Sequence, residues 1–147
     1  MKKLIVLSLL VSPVVLNALH QPSVDLTPNA LERKIYEYKP NTPLKTARSL
    51  AFYIYHFCDS SLWYDAIRIA YIESSFRQVT SATNDHGFMQ LNEFYHGKVG
   101  LAHPAQQVDY ACKLMQKAVD TYGDISYYHS KTPSLRRAYL KKLRRLK

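Results

Sequence analysis

The sequence predicts a small, mainly α-helical single domain, and three observations carry that prediction. Apolar residues recur at helical spacing near residues 44–58, 62–73 and 104–122. Helix punctuation bounds those stretches: Thr42-Pro43, Asp59-Ser60-Ser61, Pro104, Gly123 and Pro133-Ser134. No repeat, no GxGxxG and no sign of a second domain interrupts the 147 residues, which suffice for one core.

The chain opens MKKLIVLSLLVSPVVLNALH, two lysines followed by an uncharged run from Leu4 to Leu16. Thirteen helical residues cover roughly 20 Å, short of a bilayer core of about 30 Å, and Pro13 opposes a rigid span. A secretory signal peptide over residues 1–18 is expected, with cleavage near Ala18 and export to the periplasm or medium. Leu16 stands where cleavage sites favour a small residue, so an uncleaved anchor is the alternative.

Residues 19–42 are rich in Pro, Asn and Thr and read as a linker or loosely packed arm. Within them, Leu31, Ile35 and Tyr38 share one face of a short helical candidate from Ala30 to Tyr38. The folded domain is expected over 43–147. Thr42 caps and Pro43 opens a helix that runs from Leu44 to about Cys58. A second helix follows the Asp59-Ser60-Ser61 cap. Gln78 to Gly87 is a polar loop, and Phe88-Met89-Gln90-Leu91 is a short strand or the lead into a helical turn. Gly97 and Gly100 mark another loop. Pro104 opens a strongly amphipathic helix that stops at Gly123. Asp124 to His129 is a short segment before a last helix, with Leu135, Tyr139, Leu143 and Leu146 on its apolar positions.

Cys58 and Cys112 each sit on an apolar stripe. They either bridge two helices, as an oxidising compartment allows, or serve as small core residues. The formal charge is +9, and +7 once Lys2 and Lys3 leave with the signal. Eight of the positive charges fall between Lys131 and Lys147, so an anionic partner is expected: wall polymer, lipid surface or nucleic acid.

The stretch of chemical interest begins at Glu73. On a helical projection Leu62, Ala66, Ile69 and Ala70 share one side, Trp63 and Ile67 lie at its edge, and Tyr64, Asp65 and Arg68 face away. Glu73 falls inside the apolar stripe. A carboxylate there either frays out to water or is buried, and burial raises its pKa toward that of a general acid.

Glu73-Ser74-Ser75-Phe76, a ten-residue polar loop and Gly87-Phe88-Met89-Gln90-Leu91 resemble the signature of the lytic transglycosylase domain, E-S-x-F and then G-x-M-Q-hydrophobic. Ser81 resembles that family's loop Ser, and Tyr127-Tyr128-His129-Ser130 its later Y-N-[AS]-G motif. The resemblance spans about Leu44 to Arg145 and implies a lysozyme-like fold that cuts the β-1,4 bond between N-acetylmuramic acid and N-acetylglucosamine in peptidoglycan. It implies that Glu73 protonates the leaving oxygen and then, as base, helps the muramic 6-hydroxyl form a 1,6-anhydro end. It assigns Ser74, Gly87, Met89, Gln90 and Tyr128 to substrate binding, Gly87 by close backbone approach and Tyr128 by orienting Glu73 or stacking on sugar. His129 stands where the family has Asn and Lys131 where it has Gly, which leaves the role of position 129 open.

Asp85, Ser81 and His129 are possible assistants. Asp85 either supports a muramidase that uses water or forms an Asx turn ahead of Gly87. Tyr95, Tyr127 and Tyr128 are candidates for stacking on sugar. His86, His96, His103 and His129 lie in or near loops without metal-ligand spacing, so neither metal nor cofactor is expected. The expected partners are peptidoglycan glycan strands and, by analogy, a trans-envelope secretion or conjugation machine; nucleic acid is not expected. A non-catalytic basic wall-binding or membrane-surface module is the reading from a different class, with the C-terminal basic helix as its vehicle.

Overall fold

The computed structural model describes residues 27–146, so the leader expected over residues 1–18 and the start of the expected linker lie outside the described residues. Six helices follow in order: α1 Pro28–Tyr38, α2 Leu44–Phe57, α3 Trp63–Ser74, α4 Glu93–His96, α5 Pro104–Tyr122 and α6 Pro133–Arg145. Between α3 and α4 lies one antiparallel hairpin, β1 Asp85–His86 with β2 Leu91–Asn92. Short 3₁₀ turns occupy Ser60–Leu62, Gly97–Leu101 and Ile125–Tyr128. The chain is mainly helical, as its periodicity predicts.

α3 is the axis. Ala66, Ile67, Ile69 and Ala70 are fully buried on it, and it packs against α1, α2 and α6. The alanines matter as much as the branched residues, because Ala47, Ala51, Ala66, Ala70 and Ala111 let the helix backbones approach closely. Trp63 is buried and its indole N–H donates to the Cys58 carbonyl at 3.1 Å, which joins the end of α2 to the start of α3.

The expected loose arm is corrected here. α1 starts at Pro28 with Thr27 as its cap, and Leu31 and Ile35 are 1% and 0% exposed against α2 and α3. Burying two such side chains contributes about 1.5–3 kcal/mol each, so α1 belongs to the core. Composition hid this, since the prolines and threonines mark the helix ends rather than a flexible linker.

Cys58 and Cys112 form a disulfide between the end of α2 and the middle of α5, with Cα atoms 5.0 Å apart. It spans a sequence separation of 54 residues, and closing a loop that long removes about 4 kcal/mol of unfolded-state entropy in the chain model. Smaller expectations also shift. Pro43, not Thr42, caps α2, and the buried Thr42 hydroxyl donates to the Lys39 carbonyl at 2.8 Å. Leu44, Tyr122 and Leu135 stand at apolar positions of their stripes yet are exposed.

Candidate active site

α3 ends in two consecutive left-handed residues, Ser75 (φ 51°) and Phe76 (φ 59°). The Ser75 N–H donates to the Tyr71 carbonyl at 2.8 Å, and the reversal sends Phe76 back into the core. Lys39 pins the turn by donating to the Ser75 carbonyl at 3.0 Å. Glu73 is therefore held on a finished last turn and does not fray. Its side chain is 17% exposed.

Glu73 Oε1 is buried without a hydrogen-bond partner. The nearest opposing group is His129 Nδ1 at 3.7 Å, too far for a hydrogen bond. The His129 ring lies flat on the ring of Tyr139, centroids 4.3 Å apart and planes 3° apart. The Tyr139 hydroxyl is buried beside the same carboxylate without closing a bond of ordinary geometry. Burial, followed by the negative charge of Glu73, drives the Tyr139 pKa far above that of a free phenol. The same two causes, in the same order, raise the Tyr128 pKa. One carboxylate thus sits among two phenols that stay neutral and one imidazole.

Across from it runs the segment from Gly87 to Asn92. The Tyr128 hydroxyl donates to the Met89 carbonyl at 2.8 Å and joins the two walls. Met89 is buried beneath the cleft. Gln90 has φ 49°, and its amide donates to the Gly87 carbonyl at 2.8 Å and the Val79 carbonyl at 3.1 Å. Glu73, Met89, Gln90, Tyr128 and His129 line one cleft of about 280 Å³.

Two residues expected to bind substrate lie elsewhere. Ser74 is buried; its hydroxyl sits 2.9 Å from the Phe88 carbonyl and 3.1 Å from the Ala70 carbonyl, and accepts from the Arg77 N–H. It latches the end of α3 to the Gly87–Leu91 segment. Gly87 (φ 78°) makes its close approach to Gln107, whose Oε1 would lie 2.0 Å from an added Cβ. The tight contact is internal, and the cleft lining does not include Gly87.

Asp85 lines the cleft, but its oxygens are committed. Ser81 donates to Oδ2 at 2.8 Å, Thr83 donates to the same oxygen, and Asn92 donates to Oδ1 at 2.8 Å. Burial opposes the charge, yet these bonds outweigh it and hold the Asp85 pKa below the usual carboxylate value. Ser81 also accepts from the Asp85 N–H at 3.0 Å, so its part is to build this loop.

Leu91, Asn92, Tyr95, His96 and Leu114 complete the lining, and Tyr95 is highly exposed at the rim. Tyr127 is occupied elsewhere: it stacks on Tyr122 at 4.0 Å and the Arg136 guanidinium lies 3.7 Å from its ring centre. Tyr139 is the residue that sequence reasoning missed. It passed for one more apolar position, although a tyrosine on a buried face needs somewhere to aim its hydroxyl. Among the described residues no group of three or more His, Cys, Asp or Glu side chains could hold a metal ion.

The arrangement can present a single carboxyl, without hydrogen bonds on its inner oxygen, to a ligand in a polar cleft. No family model matches the chain, and no curated protein or solved structure does so.

Proposed function

We propose that this chain is an exported peptidoglycan lytic transglycosylase of lysozyme-like fold, with Glu73 as its general acid and base. The observation that carries the reading is the Glu73 carboxyl, partly exposed in a cleft shared with Gln90, Tyr128 and His129, with Oε1 buried and no hydrogen bond tying it to the fold. A catalytic acid must keep an oxygen free of internal partners so that its proton can pass to substrate.

The glycosidic oxygen takes the Glu73 proton as the bond to the anomeric carbon breaks. The carboxylate left behind accepts the proton of the muramic 6-hydroxyl, whose oxygen closes the 1,6-anhydro ring, and Glu73 ends as it began. Tyr139, neutral beside it, stabilises the carboxylate form through its hydroxyl dipole, while the Tyr128 hydroxyl is spent on the Met89 carbonyl. Gln90 offers its side-chain carbonyl oxygen to the sugar, its amide N–H groups being spent on Gly87 and Val79, and Tyr95 offers a ring at the rim. The disulfide supports an oxidising compartment. A trans-envelope secretion or conjugation machine remains the partner that the sequence resemblance suggests.

The water-using muramidase with Asp85 as helper is less well supported, because Asp85 spends both oxygens on Ser81 and Thr83 of its loop and on Asn92 of the facing strand. Mass spectrometry of products released from purified sacculi separates the two. Anhydro ends one water lighter than reducing ends are expected; reducing ends alone would refute the transglycosylase route. Equal clearing of sacculi by wild type and Glu73→Gln would leave only the non-catalytic wall-binding reading.

A further inference from the structure

α6 turns Tyr139 and Leu143 into the protein. At 100° per residue, Arg137, Lys141 and Arg144 fall on the opposite side about one turn apart, with Arg145 at the edge of the stripe. All four are exposed. Arg136, by contrast, is partly buried, 3.6 Å from the Asp124 carboxylate and over the Tyr127 ring. Among the described residues the stripe makes no ion pair, and no acidic residue follows Asp124 in the chain.

Helix polarity accounts for part of this pattern only. Arg144 and Arg145 lie in the last turn, where a cation complements the carbonyl end. Arg137 and Lys141 lie earlier, and like charges one turn apart repel. Together with Leu140, the four cations line a shallow groove of about 550 Å³. A bilayer needs several apolar side chains to insert; α6 has spent Tyr139 and Leu143 on the core and leaves only Leu135 exposed and Leu140 half-buried among the cations. A few exposed cations bind an isolated anion weakly. A partner already seated in the cleft raises the effective concentration at a second weak site, so a network that reaches both is favoured.

We propose that the outward face of α6 docks on the acidic peptide arms of the wall network whose glycan enters the cleft, an inference that rests on the glycan-cutting reading. The partner chemistry is a polymer-borne carboxylate. The test uses full-length Glu73→Gln protein, which leaves the polymer intact, co-sedimented with sacculi stripped of phosphate polymers. Replacing Arg137, Lys141 and Arg144 by Gln should weaken retention roughly tenfold or more, and added salt should erase the difference. A charge-matched control, Lys45, Lys98 and Lys117 to Gln, should retain most of the binding, and both variants should melt like the parent.

Unchanged retention by the α6 variant overturns the proposal, as does an equal loss in the control. Tighter binding to phosphatidylglycerol vesicles or duplex DNA than to the stripped sacculi also overturns it. The cleft is judged separately, by muropeptide release from wild type. Loss of that activity with α6-dependent retention intact would sink the cleft reading alone.

Discussion

Two carboxylates line the same cleft and are treated in opposite ways. Asp85 accepts bonds from Ser81, Thr83 and Asn92 and holds a loop in shape. Glu73 keeps its inner oxygen buried and unbonded beside Tyr139 and His129. Burial alone does not single out the proposed acid, then, since both side chains are partly buried. What distinguishes them is whether the fold has already used their lone pairs.

The sharpest way to break this comparison is to remove each charge in turn. Glu73→Gln should lower glycan cleavage by about 10²–10⁴-fold, while thermal melts stay close to wild type, because the amide fills the same space and Oε1 has no hydrogen bond to lose. Should Asp85→Asn cost as much activity as Glu73→Gln, the contrast fails and the hydrolytic route returns. Tyr139→Phe comes next. It should lower the rate about tenfold through poorer orientation of Glu73 and leave stability unchanged or slightly raised, as read from kinetics and melting together.

Ser74→Ala should do the reverse, costing about 1–3 kcal/mol of stability in denaturant titrations while each folded molecule still cuts. The smallest effect belongs to Asp85→Asn, a loss of about 1 kcal/mol with activity kept within a few-fold. Its pH signature is specific. Because the folded pKa of Asp85 is depressed, its contribution is present above the unfolded value of about 3.9 and is lost as pH falls through the lower, folded one. Melts between neutral pH and the acid limit should show that loss in wild type and not in the variant.

Glu73 was legible because helical periodicity is a local signal that put it on the buried stripe of α3. Met89, Gln90 and Tyr128, which line the same cleft, were pointed to by the family resemblance and by no periodicity of their own. What stayed hidden depends on contacts between distant segments. Ser74 reads as a polar neighbour of the acid, and only the fold shows it bonded to Phe88. Gly87 reads as an approach for ligand, and only the fold brings Gln107 against it. α1 read as an arm because Pro28 and Pro40 flank it, whereas Leu31 and Ile35 find their partners on α2 and α3. Tyr139 hid for the same reason, one aromatic ring among lysines and arginines.

That tyrosine carries a last consequence. The phenol beside Glu73 arrives with α6, 66 residues after the carboxyl itself. A chain made only as far as residue 138 holds Glu73 without that neighbour. Under the proposed function, a product clipped ahead of Tyr139 keeps its acid and loses the group set against it, so cutting should wait until α6 has folded back onto α3.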